Sequence, residues 1–359
     1  MSSFQPANDR NQIPIAEPLV EVRRGAITES RHRGHIAATS GDGLLAAYAG
    51  FPETVTFLRS SAKPFQAIPV LVSGAADRFG FTEQEVALAC GSHNGEPVHT
   101  QIAAEMLTKV GVDASALRCG VHEPYSPEAA QALRDKGELP SALHNNCSGK
   151  HAAMLAFAKH IGAPLENYTS PEHPIQLAIA RTVSQFSAIP LEDLSVGVDG
   201  CGVPVFGITI RAMALAYVRL VSPRDFEPRV RHACERIVKA MTKYPELIGG
   251  TKDRLDTEIM RAAPGAIVSK VGAEGVYTAG VLPCEQWPQG VGLALKIEDG
   301  DDRRARPTVV IESLRQLGVL RDKSLEHVSR YAFFPVHNRA GDLVGEIRAA
   351  FALRTPSTE

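Results

Sequence analysis

Strand-like runs occur at both ends of this chain, and helix-like runs fill the middle. Short β-branched and apolar runs lie within residues 19–49, and a Gly-Asp-Gly turn at 41–43 separates two of them, as a hairpin requires. Similar runs return from residue 266 onward, whereas the segments between have helix start signals and helical periodicity. We therefore predict an α/β (α+β) fold, with one sheet drawn from about 18–58 and 264–359 and a helical lobe inserted at about 59–263.

The composition is that of a globular protein without a marked charge. The 359 residues are 44% hydrophobic and carry a formal net charge of −2, which gives no electrostatic reason to expect nucleic acid or an anionic membrane as a partner. Residues 1–10 are polar and lack the apolar core of a signal peptide, and no run approaches the ~20 apolar residues that span a bilayer. We predict a cytoplasmic protein with a flexible segment at 1–17 and one domain at 18–359.

Two polar segments in the middle of the chain each carry a cysteine. The first is His-Asn-Asn-Cys-Ser-Gly-Lys-His at 144–151, before an apolar helix-like run that Ser148 can cap, and the second is Val-Asp-Gly-Cys-Gly-Val-Pro at 198–204. The thiolates of Cys147 and Cys201 suit a soft or borderline metal such as zinc, and Lys150 or His151 can complete the ligand set. Two alternatives stay open: both cysteines are buried free thiols, or Cys147 is a nucleophile that works with His151.

A Ser-x-x-Lys pattern occurs earlier, at 60–63. On a helical turn it places the hydroxyl of Ser60 against the amine of Lys63. The amine can take the hydroxyl proton if burial or nearby positive charge lowers its pKa, and the alkoxide then attacks a carbonyl carbon. Alone the pattern is weak, because a helix start with a solvated lysine also explains it.

Two later segments extend this pattern. Ser-His-Asn at 92–94 has the form Ser-x-Asn, and Lys-Val-Gly at 270–272 has the form Lys-x-Gly inside a strand-like run. The order Ser-x-x-Lys, Ser-x-Asn, Lys-x-Gly is that of the serine β-lactamases and penicillin-binding proteins. The three segments together therefore predict a serine amidohydrolase-type site.

Five segments together resemble one known family. They are Glu-Ser-Arg-His-Arg-Gly at 29–34, Arg-Ser-Ser-Ala-Lys at 59–63, the segments at 144–151 and 198–202, and Lys-Val-Gly-Ala-Glu-Gly at 270–275. They resemble the rhizobial-type L-asparaginases, the asparaginase II family, and the resemblance covers nearly the whole chain after about residue 17. It implies a single catalytic domain with a serine β-lactamase-like fold similar to that of serine-dependent glutaminases. It also implies hydrolysis of L-asparagine to L-aspartate and ammonia, and a homodimer.

The resemblance also implies roles for individual residues. It implies Ser60 with Lys63 and Ser92 with Lys270 as two Ser–Lys pairs, and we expect Ser60 to be the nucleophile. It implies that Cys147, Lys150 and Cys201 bind zinc beside Asp199, and that the zinc supports substrate binding, so no water-activating role is assigned to it. The expected substrate-binding residues are Arg59, His151, Asn94 and Asp199. The alternative functions are a related serine amidohydrolase, acting on glutamine or recognising β-lactams, and a non-catalytic zinc-binding protein.

Overall fold

A computed structural model of the chain describes residues 15–356. Most of the segment that we predicted to be flexible, residues 1–14, lies outside the described residues, and the first strand already begins at Glu17. The strands are β1 (Glu17–Arg24), β2 (Ile27–Ser40), β3 (Leu45–Ala49), β4 (Val55–Phe57), β5 (Ser195–Val198), β6 (Pro204–Thr209), β7 (Ile267–Gly272), β8 (Val276–Val281), β9 (Val291–Ile297), β10 (Phe333–His337) and β11 (Leu343–Ala349).

The main sheet is antiparallel and contains strands from both chain ends. Its order is β10-β11-β1-β2-β9-β8-β7, with β3 also paired to β2. The predicted mixed α/β architecture, with one sheet built from both ends, is confirmed. One part of the prediction is wrong: β4 lies within the N-terminal range but pairs with β6, which also pairs with β5 in a separate three-stranded sheet.

The long strand β2 joins the two halves of the main sheet. Its first half pairs with β1, and its second half lies between β3 and β9. Gly34 sits where the neighbours change, paired with both Glu17 and Ile297. A Cβ atom at Gly34 would lie 2.2 Å from the carbonyl oxygen of Lys296, so the backbones approach too closely there for any residue except glycine.

The helices lie mostly between the two sheet-forming ends. They are α1 (Lys63–Val72), α2 (Ala75–Arg78), α3 (Glu83–Cys90), α4 (Pro97–Val110), α5 (Pro127–Lys136), α6 (Ser148–His160), α7 (Pro174–Ser187), α8 (Ile210–Val221), α9 (Pro228–Lys243), α10 (Pro245–Ile248), α11 (Leu255–Ala262), α12 (Ala305–Gln316), α13 (Asp322–His327) and α14 (Ser329–Ala332). Nearly every residue of α1 and the first eleven residues of α6 are buried. A helix that is buried all round lies inside the structure, so these two helices form the centre of the lobe.

Helix α8 packs directly on the main sheet. Gly280 of β8 and Gly292 of β9 are paired with each other beneath this helix. A Cβ atom on Gly292 would lie 1.9 Å from the carbonyl oxygen of Ala214, and one on Gly280 would lie 2.7 Å from that of Tyr217. The glycine pair therefore lets the helix backbone approach the strands.

The buried apolar residues form one continuous core that includes residues of both the sheet and the lobe. The treatment of 18–359 as a single domain stays a prediction. Within residues 15–356, no helix combines the length and the apolar character that crossing a bilayer requires.

We predict that Gly292→Ala destabilises the protein. The added methyl group must displace the backbone of α8, and overpacking of this kind lowers the free energy of unfolding by about 1–3 kcal/mol. Urea denaturation measures the change. Gly200→Ala is the control, because its new Cβ would meet open space and its backbone is not left-handed. Equal unfolding free energies for the two variants would contradict the close approach of α8.

Candidate active site

A short 3-10 turn, Arg59–Ala62, leads from β4 into α1 and carries Ser60. Arg59 has a φ of 50°, in the left-handed region that residues with a side chain rarely occupy. Such strain costs on the order of 1–3 kcal/mol and occurs preferentially at functional sites, where surrounding contacts enforce it. Ser60 itself is only half-buried, so part of the residue is accessible to solvent.

Two hydrogen bonds fix this turn against the sheet and α8. The hydroxyl of Tyr217 donates to the carbonyl oxygen of Ser61 at 2.8 Å. The hydroxyl of Ser61 donates to the carbonyl oxygen of Lys270 at 3.3 Å. The turn that carries Ser60 is therefore attached to the strand that carries Lys270.

The amine of Lys63 is buried and has three hydrogen-bond partners. Its Nζ lies 2.5 Å from the carbonyl oxygen of Gly91, 2.9 Å from Oγ of Ser92 and 3.0 Å from the carbonyl oxygen of Asn146. The backbone N–H of Lys63 donates to the carbonyl oxygen of Ser60, but among the hydrogen bonds of residues 15–356 none joins the Lys63 amine to the Ser60 hydroxyl. The structure thus pairs Lys63 with Ser92, and not with Ser60 as we expected. The long lysine side chain leaves its own turn and reaches the end of α3.

The position of Lys63 allows it to accept a proton from Ser92. Carbonyl oxygens only accept hydrogen bonds, so two N–H groups point to Gly91 and Asn146, and the third position of the amine faces Ser92. In a neutral amine this third position is a lone pair. Burial lowers the pKa of Lys63, and this outweighs the opposing effect of the Cys147 thiolate.

Lys270 is fully buried on β7 and has fewer partners. Its Nζ donates to the carbonyl oxygen of Val271 at 3.0 Å and lies 3.6 Å from Oδ2 of Asp256. Burial lowers its pKa to about 7, although Asp256 opposes this, and the nearby charge of Lys63 lowers it further. The described residues make no hydrogen bond between Lys270 and Ser92, so the second expected pair is not formed directly.

Three of the predicted site residues meet at the start of α6. Cys147 precedes the helix, Lys150 lies in its first turn, and Cys201 lies in the loop between β5 and β6. All three are buried, and Nζ of Lys150 donates to Sγ of Cys201 at 2.9 Å. A hydrogen bond from the Cys201 thiol holds the pKa of Cys147 well below its usual range, and the same bond raises the pKa of Cys201. Burial alone lowers the pKa of Lys150, but the two sulfur atoms raise it above the usual lysine value.

The donor set of this cluster fits a three-ligand metal site. Two sulfur atoms and one amine converge, and a soft or borderline metal with one open position accepts such donors. Lys150 and Cys201 must give up protons before they can bind a metal. Residues 15–356 contain no group of three or more His, Cys, Asp or Glu side chains placed to hold a metal ion, so a three-ligand set at this cluster would have to include Lys150.

An ion pair connects the loop that carries Cys201 with the Ser60 turn. Nε of Arg59 lies 2.9 Å from Oδ1 of Asp199, and both side chains are partly exposed. Burial tends to raise the pKa of Asp199, but Lys150, the Gly200 N–H and Arg59 together lower it. Two of the expected substrate-binding residues are therefore adjacent, charged and accessible.

The imidazole of His151 is buried, and one of its nitrogen atoms has no hydrogen-bond partner within the described residues. Its Nδ1 lies 2.6 Å from the hydroxyl of Tyr168, which accepts a hydrogen bond from the backbone N–H of Arg118. Tyr168 can therefore give its own hydrogen to Nδ1, which leaves the proton of His151 on Nε2. That Nε2 is buried and has no hydrogen-bond partner within the described residues. Burial, assisted by Lys150 and Lys63, lowers the pKa of His151 well below its usual value.

Ser148 does not cap α6, contrary to our expectation. It is the first residue of the helix, and its hydroxyl lies 2.9 Å from Nε2 of His93 in the Ser-x-Asn segment. The preceding Cys147 is held instead by its N–H, which donates to Oδ1 of Asn145 at 2.9 Å. Gly149 lets α6 approach the end of α3, since a Cβ there would lie 2.6 Å from the carbonyl oxygen of Leu88. The two motif segments therefore pack against each other.

Asn94 contacts an arginine that the sequence did not reveal. Nη1 of Arg254 donates to Oδ1 of Asn94 at 2.5 Å, and Nη2 donates to the carbonyl oxygen of Ser92 at 2.8 Å. The amide nitrogen of Asn94 donates to Glu96 at 3.2 Å, so both ends of this amide are already engaged. Asn94 and Arg254 also line a cavity of about 790 Å³. In this arrangement Asn94 fixes the loop that carries Ser92, and its contact with substrate stays a prediction.

Comparison with known proteins identifies one family. A sequence model of the family described as L-asparaginase II matches residues 20–349. No curated protein sequence matches this chain.

Solved structures show distant similarity. A probable glutaminase from Bacillus subtilis, complexed with 6-diazo-5-oxo-L-norleucine, has 13% identity over 80% of this chain and 84% of that chain, with a TM-score of 0.39. A β-lactamase from Burkholderia ambifaria has 16% identity over 79% of this chain and 92% of that chain, with a TM-score of 0.37. Similarity at this level does not support an argument about function, which must come from the family and the site.

We predict that Arg254→Lys lowers the free energy of unfolding by about 1–3 kcal/mol. Arg254 bonds Asn94 and the Ser92 carbonyl through two separate nitrogen atoms, and the single ammonium nitrogen of a lysine does not reproduce this planar fork, so one acceptor loses its partner. Chemical denaturation measures this change. Arg303→Lys is the control, since Arg303 lines the same cavity but is exposed. If both variants unfold like the unmodified protein, Arg254 does not fix the Ser92 loop.

Proposed function

Because the chain belongs to the L-asparaginase II family and is therefore an amidohydrolase, we propose that it hydrolyses L-asparagine to L-aspartate and ammonia through a serine nucleophile. One observation carries this proposal. The half-exposed Ser60 lies on a strained turn attached to the strand of Lys270, and the buried amines of Lys63 and Lys270 both have lowered pKa values. Amines of this kind can take a proton from a hydroxyl near neutral pH.

The charges near Ser60 are complementary to an α-amino acid. Asparagine carries a carboxylate, an ammonium group and a neutral side-chain amide. The guanidinium of Arg59 can bind the carboxylate, and the carboxylate of Asp199 can bind the ammonium group. The two side chains already form an ion pair at 2.9 Å, so a bound amino acid would exchange one ion pair for two. The Nε2–H of His151 is a further donor for the substrate, because it has no partner among the described residues.

The proposed reaction has two stages. In the first, Oγ of Ser60 bonds to the amide carbon of asparagine, its proton passes to the buried amines, and the C–N bond breaks as the leaving nitrogen takes a proton and departs as ammonia. In the second, water attacks the ester, Ser60 regains its proton, and aspartate is released. Ser92, which is hydrogen-bonded to Lys63, is placed to pass protons to and from that amine. Backbone N–H groups near Ser60 are candidates for stabilising the oxyanion.

We also propose that Cys147, Lys150 and Cys201 bind zinc. When bound, the metal supplies a positive charge that favours substrate binding beside Asp199. The chain's own residues carry every proton transfer in the scheme above. The homodimer and the cytoplasmic location likewise stay predictions, and light scattering of the purified protein tests the first.

We predict that Ser60→Ala and Lys63→Met each reduce kcat for asparagine on the order of 10³-fold or more. In the proposed reaction the two residues act as one unit, so the loss of either one removes most of the catalytic effect of both. Ammonia release measures turnover, and glutamine and a chromogenic β-lactam serve as competing substrates. Ser73→Ala is the matched control, since this serine caps the other end of α1. Full asparagine turnover by Ser60→Ala would rule out the assigned nucleophile, and preferential turnover of glutamine or the β-lactam would change the assigned substrate.

We predict that Cys201→Ser weakens zinc binding by at least about tenfold and raises KM for asparagine more than it changes kcat. Competition with a chromophoric chelator measures zinc affinity without any need for turnover. Cys234→Ser is the control, because Cys234 is equally buried but lies in α9. Unchanged zinc affinity in the Cys201 variant would place the metal elsewhere or show that none is bound.

A further inference from the structure

Asp256 is a buried carboxylate in the first turn of α11 that has no part in the scheme above. Its Oδ1 accepts a hydrogen bond from the hydroxyl of Ser269 at 2.8 Å, and its Oδ2 accepts one from the N–H of Val271 at 3.0 Å. Ser269 and Val271 are the two neighbours of Lys270 on β7. The carboxylate therefore contacts the strand on both sides of the lysine, and its Oδ2 lies 3.6 Å from Nζ of Lys270.

A second buried hydroxyl fixes the orientation of this carboxylate. Ser269 gives its hydrogen to Asp256, so the hydroxyl of Tyr277, 2.9 Å from Oγ of Ser269, must be the donor in that contact. Ser269 is fully buried, and so is Tyr277 on the adjacent strand β8. The chain of donors from Tyr277 through Ser269 to Asp256 leaves the carboxylate little freedom to rotate.

The contact between Asp256 and Lys270 is unlike that of an ion pair that only stabilises the fold. A distance of 3.6 Å is longer than the 2.7–3.2 Å of a good N–H···O hydrogen bond. The amine of Lys63 has three hydrogen-bond partners, whereas the amine of Lys270 has one in the described part of the chain. The amine of Lys270 therefore keeps positions open for proton exchange, while the fixed negative charge of Asp256 stays beside it. A buried ion pair gains little net stability over an apolar pair of similar volume, although removal of one partner alone is destabilising.

We infer that Asp256 is a positioning residue for Lys270, holding its amine at the site beside the Ser60 turn, and this inference rests on the proposed serine–lysine reaction. The carboxylate also keeps the amine basic. Burial lowers the pKa of Lys270 to about 7, and Asp256 is the main group that opposes this decrease. The charged and titratable groups that face the amine are Asp256, Lys63, Arg254, Cys147 and Cys90.

The test is the titration of Lys270 in the full-length Asp256→Asn variant. Without the carboxylate, less opposes the effect of burial, so we expect the pKa of Lys270 to fall by about one unit or more. NMR of protein labelled with ¹³C at the lysine Cε positions measures it, and Lys270→Arg assigns the signal. The acidic limb of the pH profile of kcat/KM should move to lower pH by the same amount. We also expect kcat to fall about tenfold or more with little change in KM, since a misplaced amine loses its catalytic contribution.

Three further variants separate positioning from a merely structural role. Asp256→Glu keeps the charge and should keep the acidic limb near its original position. Ser269→Ala removes one hydrogen-bond donor to the carboxylate of Asp256, so it should move the acidic limb of the pH profile to lower pH by a smaller amount than Asp256→Asn does. This variant is informative even if Asp256→Asn does not fold. Glu85→Gln is the matched control, because Glu85 is an equally buried carboxylate whose 2.6 Å ion pair with Lys109 lies on another helix. Glu85→Gln should lower the free energy of unfolding without moving the acidic limb of the pH profile.

An unmoved pKa of Lys270 in folded Asp256→Asn protein would overturn the inference. The NMR titration needs no turnover, so it still decides the role of Asp256 if the unmodified protein hydrolyses no asparagine. In that event the substrate assignment fails, while a shifted Lys270 titration continues to support the positioning of the amine by Asp256.

Discussion

The buried amine of Lys63 is the point on which the arrangement of the site depends. Burying an ammonium or amine group costs on the order of several kcal/mol unless hydrogen bonds or a paired charge compensate it, so such a group requires partners. Lys63 satisfies this requirement with the carbonyl oxygens of Gly91 and Asn146 and with the hydroxyl of Ser92. These three groups belong to two segments far apart in sequence. The same amine therefore brings the end of α3 and the approach to α6 against the start of α1.

Three buried lysines share this region but have different protonation behaviour. Burial lowers the pKa of Lys63 and lowers that of Lys270 to about 7, although thiolate or carboxylate charge opposes the change in each case. Burial acts on Lys150 in the same direction, but the sulfur atoms of Cys147 and Cys201 reverse the result and raise its pKa. Two amines are thus suited to accept protons, and one is suited to neutralise a thiolate until a metal replaces its proton. The surroundings of each lysine, and not its residue type, therefore determine whether its amine accepts a proton or neutralises a thiolate.

Most of the secondary structure could be predicted because its signals are local. The capping box of Thr82 and Glu85 at the start of α3 is one such signal, because its Thr-x-x-Glu pattern stands in the sequence itself. The strand β4 was assigned to the wrong sheet because a three-residue strand carries no signal for its partner. The predicted site residues lie in five segments of the chain, at 59–63, 92–94, 147–151, 199–201 and 270, and the structure brings these segments close together.

The partners of long side chains could not be predicted. A Ser-x-x-Lys spacing favours contact within one turn, but the flexible lysine reaches an acceptor on another helix, and Lys63 bonds Ser92. Asp256 and Arg254 carry no distinctive signal, since an acidic residue in a first helical turn and an arginine before it are common helix starts. These contacts join residues of different elements, in most cases far apart in the sequence, so only the folded geometry assigns them.

The most direct test of the account is covalent labelling with a diazoketone analogue of asparagine, followed by peptide mass spectrometry. The analogue bonds to the nucleophile at the position of the side-chain amide. We predict a single label on Ser60, lost in Ser60→Ala and prevented by an excess of L-asparagine. A label on Cys147 would contradict the account, because the reaction would then proceed through a thiol and not through a hydroxyl beside buried amines.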